Sequence, residues 1–407
     1  MIAPAPLTLD LDRAVLALSD ALDLVGVDKV GHGHRVALMA AILAEEMGWE
    51  TPEVHELVRA GLLHDCGVST TREHRSLVNE LEWEEAPAHC SRGAVYLADV
   101  PMLAHLAPVV LEHHSRWIDM RKRRVDDQVA TVANLIYLCD RVDALRAHGV
   151  APGRDVVAVL RRYPDLFNPD FVAVLDEVAR REAFWFVQDE PALHEGLTDR
   201  LEIGSRAPID LVEIRGLAAM FGRIIDAKSP YTERHSLGVA AVARELGTIF
   251  GLGADDLDCL EMAGMLHDLG KLRIPDELLD KQGPLTAEER MRMARHAFDT
   301  WEILRHVFGD GSIARWAAMH HEAVSGQGYP FHLEGDELPL GARIVAVADV
   351  FQALAQTRPY RQPLGTTEIA GVLDGMVFAG KLDREVVDRL KAHIDACHAK
   401  AVAGEGG

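Results

Sequence analysis

The feature that most constrains this chain is an internal duplication of its histidines and aspartates. HGHRVA at 32 to 37 and HSLGVA at 235 to 240 open two copies of one pattern. In each copy a His-Asp pair follows 32 residues after the first histidine, in GLLHDCG at 61 to 67 and in GMLHDLG at 264 to 270. A further histidine, His89 or His296, precedes a His-His pair by 24 residues: His113–His114 in one copy, His320–His321 in the other. Each copy closes on an aspartate in an apolar run, Asp140 in LIYLCDRVDAL and Asp349 in IVAVADVFQAL. Between copies the register drifts by four residues, then by two more. Self-similarity at this scale means one structural unit built twice. Two tandem domains are therefore expected, over residues 1–200 and 201–407, with the boundary near GLTDRLEIGSRA at 196 to 207. A length of 407 residues suits that number.

The periodicity predicts an all-α fold. VALMAAILAEEMGW (36 to 49), VAAVARELGTIFGL (239 to 252) and TTEIAGVLDGMV (366 to 377) place apolar residues at three- and four-residue spacing. Alternating runs that would mark strands are scarce. Pro and Gly gather in connections such as KSPYT, KQGPLT and SGQGYP, and the final AGEGG is expected to fray.

Charge and cysteine content exclude several functions. A net charge of −22 argues against broad binding to nucleic-acid polymers or membrane surfaces. An anionic substrate then needs a local positive site, either metal ions or a few placed Lys and Arg. Five scattered cysteines form no CxxC pair, which suits a reducing cytoplasm rather than a disulfide framework. No signal peptide and no long apolar span are read, so a cytoplasmic location is expected.

The second copy gathers His235, His267, Asp268, His296, His320, His321 and Asp349. Mixed imidazole and carboxylate donors suit Fe, Mn or Zn, and the lack of cysteine in the set disfavours a purely structural zinc site. Asp268, directly after His267, can bridge two ions. Two close ions can share a hydroxide, hold a phosphate oxygen and stabilise a leaving oxygen, which is chemistry for phosphoester hydrolysis. Isolated histidines on apolar helices are usually packed core residues. Five histidines and two aspartates at matched spacing, repeated, are not explained that way. The other histidines fall outside the pattern.

In order, H…HDxGK…H…HHExxxGxGYP…D over residues 235–349 resembles the HD-GYP branch of the HD phosphohydrolases, a likeness that runs from about 208 to 395. The resemblance implies a helical domain with two divalent ions, iron or manganese, that hydrolyses a cyclic dinucleotide to a linear dinucleotide and then to mononucleotides. It makes the seven residues metal ligands, with Asp268 also catalytic. Lys271 becomes the phosphate-binding, charge-stabilising lysine. Arg358 and Arg361 in RPYR become phosphate contacts, and Tyr329 lies in the substrate-facing GYP turn with Glu322 supporting the metal shell. Tyr231 stands where three-metal members carry a glutamate, so two ions are expected. The family also uses the GYP loop for docking, which leaves a nucleotide-cyclase or other signalling partner, and a homodimer, open.

Two departures sit inside otherwise intact motifs: Ser325 and Gln352 replace aspartates. A glutamine can pair with an adenine edge where a carboxylate suits guanine. Gln352 is therefore read as a substrate contact that shifts base choice from cyclic di-GMP towards 3′,3′-cyclic GMP-AMP, and Ser325 as a second substrate contact or a turn cap. The first copy keeps the ligands His32, His64, Asp65, His89, His113, His114 and Asp140, and Asp143 where Gln352 stands. Asp28 offers one further carboxylate. But Val68 replaces the lysine, and SRWIDM replaces the GYP turn. A metal-holding or vestigial regulatory domain is expected there. A dinucleotide sensor without turnover, and a general HD hydrolase of ordinary nucleotides, are the competing functions.

Overall fold

The computed structural model describes residues 9–23, 31–80, 82, 84–201, 203, 209–228, 235–356 and 362–403. Asp28, Tyr231, Arg358 and Arg361 lie outside these described residues. Among those described, the chain is helical with no strand element. It forms two compact units, Asp10–Ile209 and a second that begins at Asp210.

Six helices in each unit carry the repeated residues. In the first they are α1 (Leu11–Leu22), α2 (His32–Glu46), α3 (Thr51–Leu63), α4 (Ala86–Ala98), α5 (Ala107–Glu112) and α6 (Asp127–Ala147). In the second they are α7 (Leu211–Ala227), α8 (His235–Ile249), α9 (Ala254–Leu266), α10 (Ala287–Phe308), α11 (Ser312–Ala318) and α12 (Leu340–Ala355), with α13 (Ile394–Val402) packed on α8. The pairings match: α2 packs on α3 and α6, and α8 on α9 and α12.

Local chemistry fixes the helix ends. Asp210 and Glu213 form a capping box at the start of α7, as do Thr286 and Glu289 at α10. Asp126 caps α6 by accepting from the N–H groups of Gln128 and Val129. Helices α2 and α8 begin earlier than their apolar runs suggest, because the histidines belong to the first turn. They end earlier too. Gly48 at φ 79° and Gly251 at φ 73° adopt the left-handed conformation that stops a helix.

The central helices meet through glycine. A Cβ on Gly61 would lie 2.8 Å from the Ala37 Cα, and one on Gly264 would lie 2.7 Å from the Ala240 Cα. Only a hydrogen fits there, so α2 and α3 approach backbone to backbone, and α8 and α9 do the same. That closeness brings the histidine at the start of one helix next to the His-Asp pair at the end of the other.

An ion pair of reversed sense joins the outer helices. In the first unit, Asp12 on α1 accepts from Arg59 Nε at 2.6 Å and contacts His55 Nε2 at 3.0 Å, both on α3 and all buried. In the second unit the base is on α7. There Arg215 meets Asp258 at 2.5 Å and Glu261 at 3.1 Å, both on α9.

Candidate metal centre

Five of the seven C-terminal residues sit at helix ends. His235 opens α8, His267 follows α9, Asp268 comes next, and His320 and His321 follow α11. His296 lies within α10 and Asp349 within α12. Each of three rings is fixed by its own helix: Nδ1–H donates to the carbonyl three residues back, at 2.8 Å from His267 to Gly264, 2.7 Å from His296 to Met293 and 2.6 Å from His320 to Ala317. A tautomer set this way presents a bare Nε2 lone pair.

Those nitrogens converge. Nε2 of His267, His296 and His320, together with Asp268 Oδ1, are buried and have no hydrogen-bond partner. Asp268 divides them. Its Oδ1 faces His296 Nε2 at 3.5 Å and His320 Nε2 at 3.7 Å, while its Oδ2 faces His267 Nε2 at 3.2 Å. His235 Nε2 lies 3.1 Å from Asp349 Oδ1. Two groups result, one of Asp268, His296, His320 and His321 and one of His235, His267 and Asp268; Asp349 joins His267 and His320 in a further overlap, each group with ligand atoms within 4.8 Å of one another. Two donors bound at about 2.1 Å to one tetrahedral ion stand roughly 3.4 Å apart. The 3.5 and 3.7 Å spacings fit that geometry better than hydrogen bonds, and buried unpaired nitrogens are costly without an ion. The donor set therefore fits a divalent metal centre, with Asp268 common to two positions.

Charge agrees with that reading. Burial, helped by neighbouring imidazoles, pushes His321 down to about 4 and His296 to about 3, and lowers His320 well below its ordinary value. All three are neutral and ready to ligate at neutral pH. Burial would also lower His267, but the Asp268 and Asp349 carboxylates override it and raise the ring to about 9, so its Nε2 carries a proton at neutral pH that an incoming ion must displace. Burial would raise Asp268, yet His267 and Lys271 hold it well below the usual carboxylate range.

Lys271 stands on the short helical turn after the His-Asp pair, with Nζ donating to Asp268 Oδ2 at 2.5 Å. The Tyr329 ring lies 4.8 Å from His321 and 6.2 Å from His296, so the GYP turn borders the cluster. Glu322 shapes that turn rather than joining the donors: its buried carboxylate accepts from Phe331 N–H at 2.6 Å and Leu333 N–H at 3.2 Å. Gly328 is required beneath it, since a Cβ would lie 2.3 Å from Ala323 N and 2.4 Å from the Glu322 Cα. Ser325 is exposed at the base of the loop, bridged to Glu334, with its N–H donating to Gly380 O at 3.1 Å.

Gln352 departs from its expected role. It is 3% exposed, its Nε2 donates to Ala401 O at 3.2 Å, and its amide packs where a Cβ on Gly238 would stand 2.3 Å away. On α12 and pressed against α8 and α13, it exposes no amide edge to a base, although its Oε1 is left without a hydrogen-bond partner. The first copy explains the change. There Asp143 accepts from His32 Nδ1 at 2.8 Å and from Arg35, the residue that Gly238 replaces. Loss of that arginine and gain of the glutamine are one exchange of volume and charge. Gln356 Oε1 now contacts His235 Nδ1 at 3.2 Å.

The first-copy residues gather in the same pattern. Asp65, His89, His113 and His114 form one group and His32, His64 and Asp140 another. Asp65 Oδ1 faces His89 and His113 at 3.4 and 3.5 Å, and Oδ2 faces His64 at 3.4 Å. One matched pair was not read from the sequence. Asp23 accepts from Gly33 N–H at 3.0 Å, and Asp226 accepts from the Ser236 N–H and hydroxyl, so each steadies the first turn of a histidine helix. Burial raises both to about 6. The signal was present: each stands nine residues before the first histidine of its copy.

Comparison with known proteins places this architecture. A family model described as HD domain matches residues 30–145, and a second, also described as HD domain, matches 219–386. The chain is 34% identical over 392 residues to 3'3'-cGAMP-specific phosphodiesterase 1 of Vibrio cholerae, covering 93% of this chain and 90% of that one. It is 43% identical over 141 residues to the cyclic di-GMP phosphodiesterase response regulator RpfG of Xanthomonas campestris, over 33% of this chain and 35% of that one. A crystal structure of a cyclic GMP-AMP specific phosphodiesterase from V. cholerae, V-cGAP3, matches the fold with a TM-score of 0.67 at 22% identity, covering 95% of this chain and 98% of that one. With two HD domains in tandem and the HDxGK and GYP motifs in the second, the chain belongs to the HD-GYP branch of the HD-domain phosphohydrolases.

Proposed function

We propose that this protein is a metal-dependent cyclic dinucleotide phosphodiesterase that hydrolyses 3′,3′-cyclic GMP-AMP at its C-terminal unit, with cyclic di-GMP as the poorer substrate. The observation that carries the reading is the sharing of Asp268 between two groups of converging, buried and unpaired donor atoms. Similarity along almost the whole chain to a relative named for 3'3'-cGAMP supports the substrate, whereas the similarity to a cyclic di-GMP enzyme spans a third of the chain. Base choice then lies in residues other than Gln352.

His235, His267, Asp268, His296, His320, His321 and Asp349 would hold two ions, Fe or Mn by the chemistry of the donors. When bound, such ions activate water at neutral pH and polarise the phosphate. The chain supplies the rest. Lys271, part-exposed and tethered only three residues from its partner Asp268, can turn its ammonium from that carboxylate to a phosphate oxygen and stabilise charge as the P–O3′ bond breaks. Tyr329 offers an aromatic wall beside His321. Arg358 and Arg361 would hold the second phosphate, and a linear dinucleotide would leave first, with mononucleotides following on a second cleavage. The N-terminal unit lacks the lysine and the turn, and acts as a regulatory or supporting domain.

The binder reading drew on Ser325 and Gln352. The exchange with Gly238 gives Gln352 a packing reason, which weakens it. The test is turnover of both dinucleotides by the full chain under anaerobic conditions with Fe²⁺ or Mn²⁺. Preferential cleavage of 3′,3′-cyclic GMP-AMP, lost in His267→Ala and Asp268→Ala, is expected. Activity that survives both changes would refute the metal mechanism, and a preference for cyclic di-GMP would refute the substrate.

A further inference from the structure

The N-terminal unit keeps the donors but moves the cations around them. Among the described residues, the cation on the shared Asp268 of the C-terminal cluster is Lys271. Val68 takes that place in the first copy and brings no charge to Asp65. Two arginines stand instead on the other side. Arg141, 2% exposed, grips both oxygens of Asp140 at 2.8 to 3.1 Å and is tied to the carbonyls of Leu77 at 2.9 Å and Glu80 at 2.6 Å. Arg35 holds Asp143 behind His32 at 2.6 and 2.9 Å. The second copy has Val350 and Gly238 at these positions.

The sums differ on the two sides. Around His32, His64 and Asp140 the first copy gains two guanidiniums and one carboxylate, Asp143 in place of Gln352, so over these described positions this side is one charge more positive. Guanidinium does not deprotonate in proteins, and Arg141 cannot leave without stranding the buried Leu77 carbonyl and its own charge partner Asp140. Around Asp65, His89, His113 and His114 the first copy is one charge more negative, because the lysine is gone. Here Asp65 Oδ1 is buried without a hydrogen-bond partner, His113 Nδ1–H donates to Val110 O at 2.6 Å, and Nε2 of His89 and His113 stand 3.2 Å apart. Cys90 Sγ, where the second copy has Ala297, lies 3.7 Å from His89 Nε2.

We infer that the N-terminal unit is a one-ion site: Asp65, His89, His113 and His114 hold a single divalent ion of the zinc type, while Arg141 supplies the charge that a second ion would bring to Asp140. Four protein donors with a soft sulfur close by favour a closed, structural zinc site over an open catalytic one. The absence of a lysine at 68 leaves it without the means to handle phosphate.

The inference stands apart from the activity of the C-terminal unit, and the test separates them. The full chain carrying His267→Ala, Asp268→Ala and His320→Ala is freed of metal and dialysed against micromolar Zn²⁺, with folding followed by circular dichroism. One equivalent is expected to remain bound. Adding His114→Ala should reduce it to none, and adding His32→Ala should leave it at one. Retention of no ion or of two by the C-terminally silenced chain overturns the inference, as does loss with His32→Ala but not with His114→Ala. An unaltered chain that binds that one ion and no more would instead overturn the metal reading of the C-terminal unit.

Discussion

Lys271 is the side chain on which catalysis and metal binding can be told apart. Its ammonium touches Asp268 but donates no ligand atom, so Lys271→Ala should reduce kcat about 100- to 1000-fold while metal content by elemental analysis stays the same. A parallel loss of metal would make it a support for the centre instead. The clustering of the candidate ligands was legible because chemistry needs them at fixed places, and the duplication wrote those places twice. The place of Asp268 between two groups was legible too, since adjacency to His267 aims its two oxygens at different neighbours. Gln352 was misread for a physical reason. Helical spacing puts it one turn from Asp349, but which way a side chain leans depends on the volume across from it. That volume was set by Gly238, more than a hundred residues away in sequence.

Among the elements, the contact between α8 and α9 governs whether the donors converge. Gly264→Val would drive two methyls into the backbone of Ala240, against which even a Cβ stands at 2.7 to 2.9 Å. Over-packing of this kind costs about 1–3 kcal/mol, and the altered crossing should also weaken metal retention through His235 and His267. A lowered denaturation midpoint together with reduced metal uptake checks both. Between α1 and α3 the controlling group is Asp12. Burial alone would raise its carboxyl, but the hydrogen bonds from His55 and Arg59 prevail and lower it to about 2. A depressed acid stabilises the fold above its unfolded value of 3.8, and that contribution fades as pH falls through about 2. Asp12→Asn should therefore destabilise the N-terminal unit by about 2 kcal/mol at pH 7, with the difference from the parent shrinking between pH 4 and pH 2. Urea midpoints across that range test it; a difference independent of pH would show that packing, not charge, holds α1. The helices themselves were plain from periodicity. Their ends were not, because Gly48 and Gly251 stop them through backbone conformation rather than through polarity.

At the scale of the whole molecule, a chain made of two similar halves faces a hazard that single domains do not. During folding, an element of one half can dock onto the body of the other, and tandem proteins are prone to such exchange. The reversed ion pairs bear directly on this. If α1 settled on α9, Asp12 would meet Asp258 and Glu261; if α7 settled on α3, Arg215 would meet Arg59. Either cross-pairing sets like charges against each other in a buried or half-buried seam, while both native pairings satisfy them, which is how repulsion selects one partner over a near twin. Reversing the second pair's base with Arg215→Asp would make α7 a counterfeit of α1, and the yield of correctly refolded protein from dilute denaturant should drop, with intertwined dimers by size-exclusion chromatography as the product. Restoring opposite signs with Asp258→Arg and Glu261→Arg should not recover it, because both halves would then carry the same polarity. The duplicated gene product thus holds, in one ion-pair cluster per half, a written distinction between first and second that the repeated histidines and aspartates, being identical, cannot make.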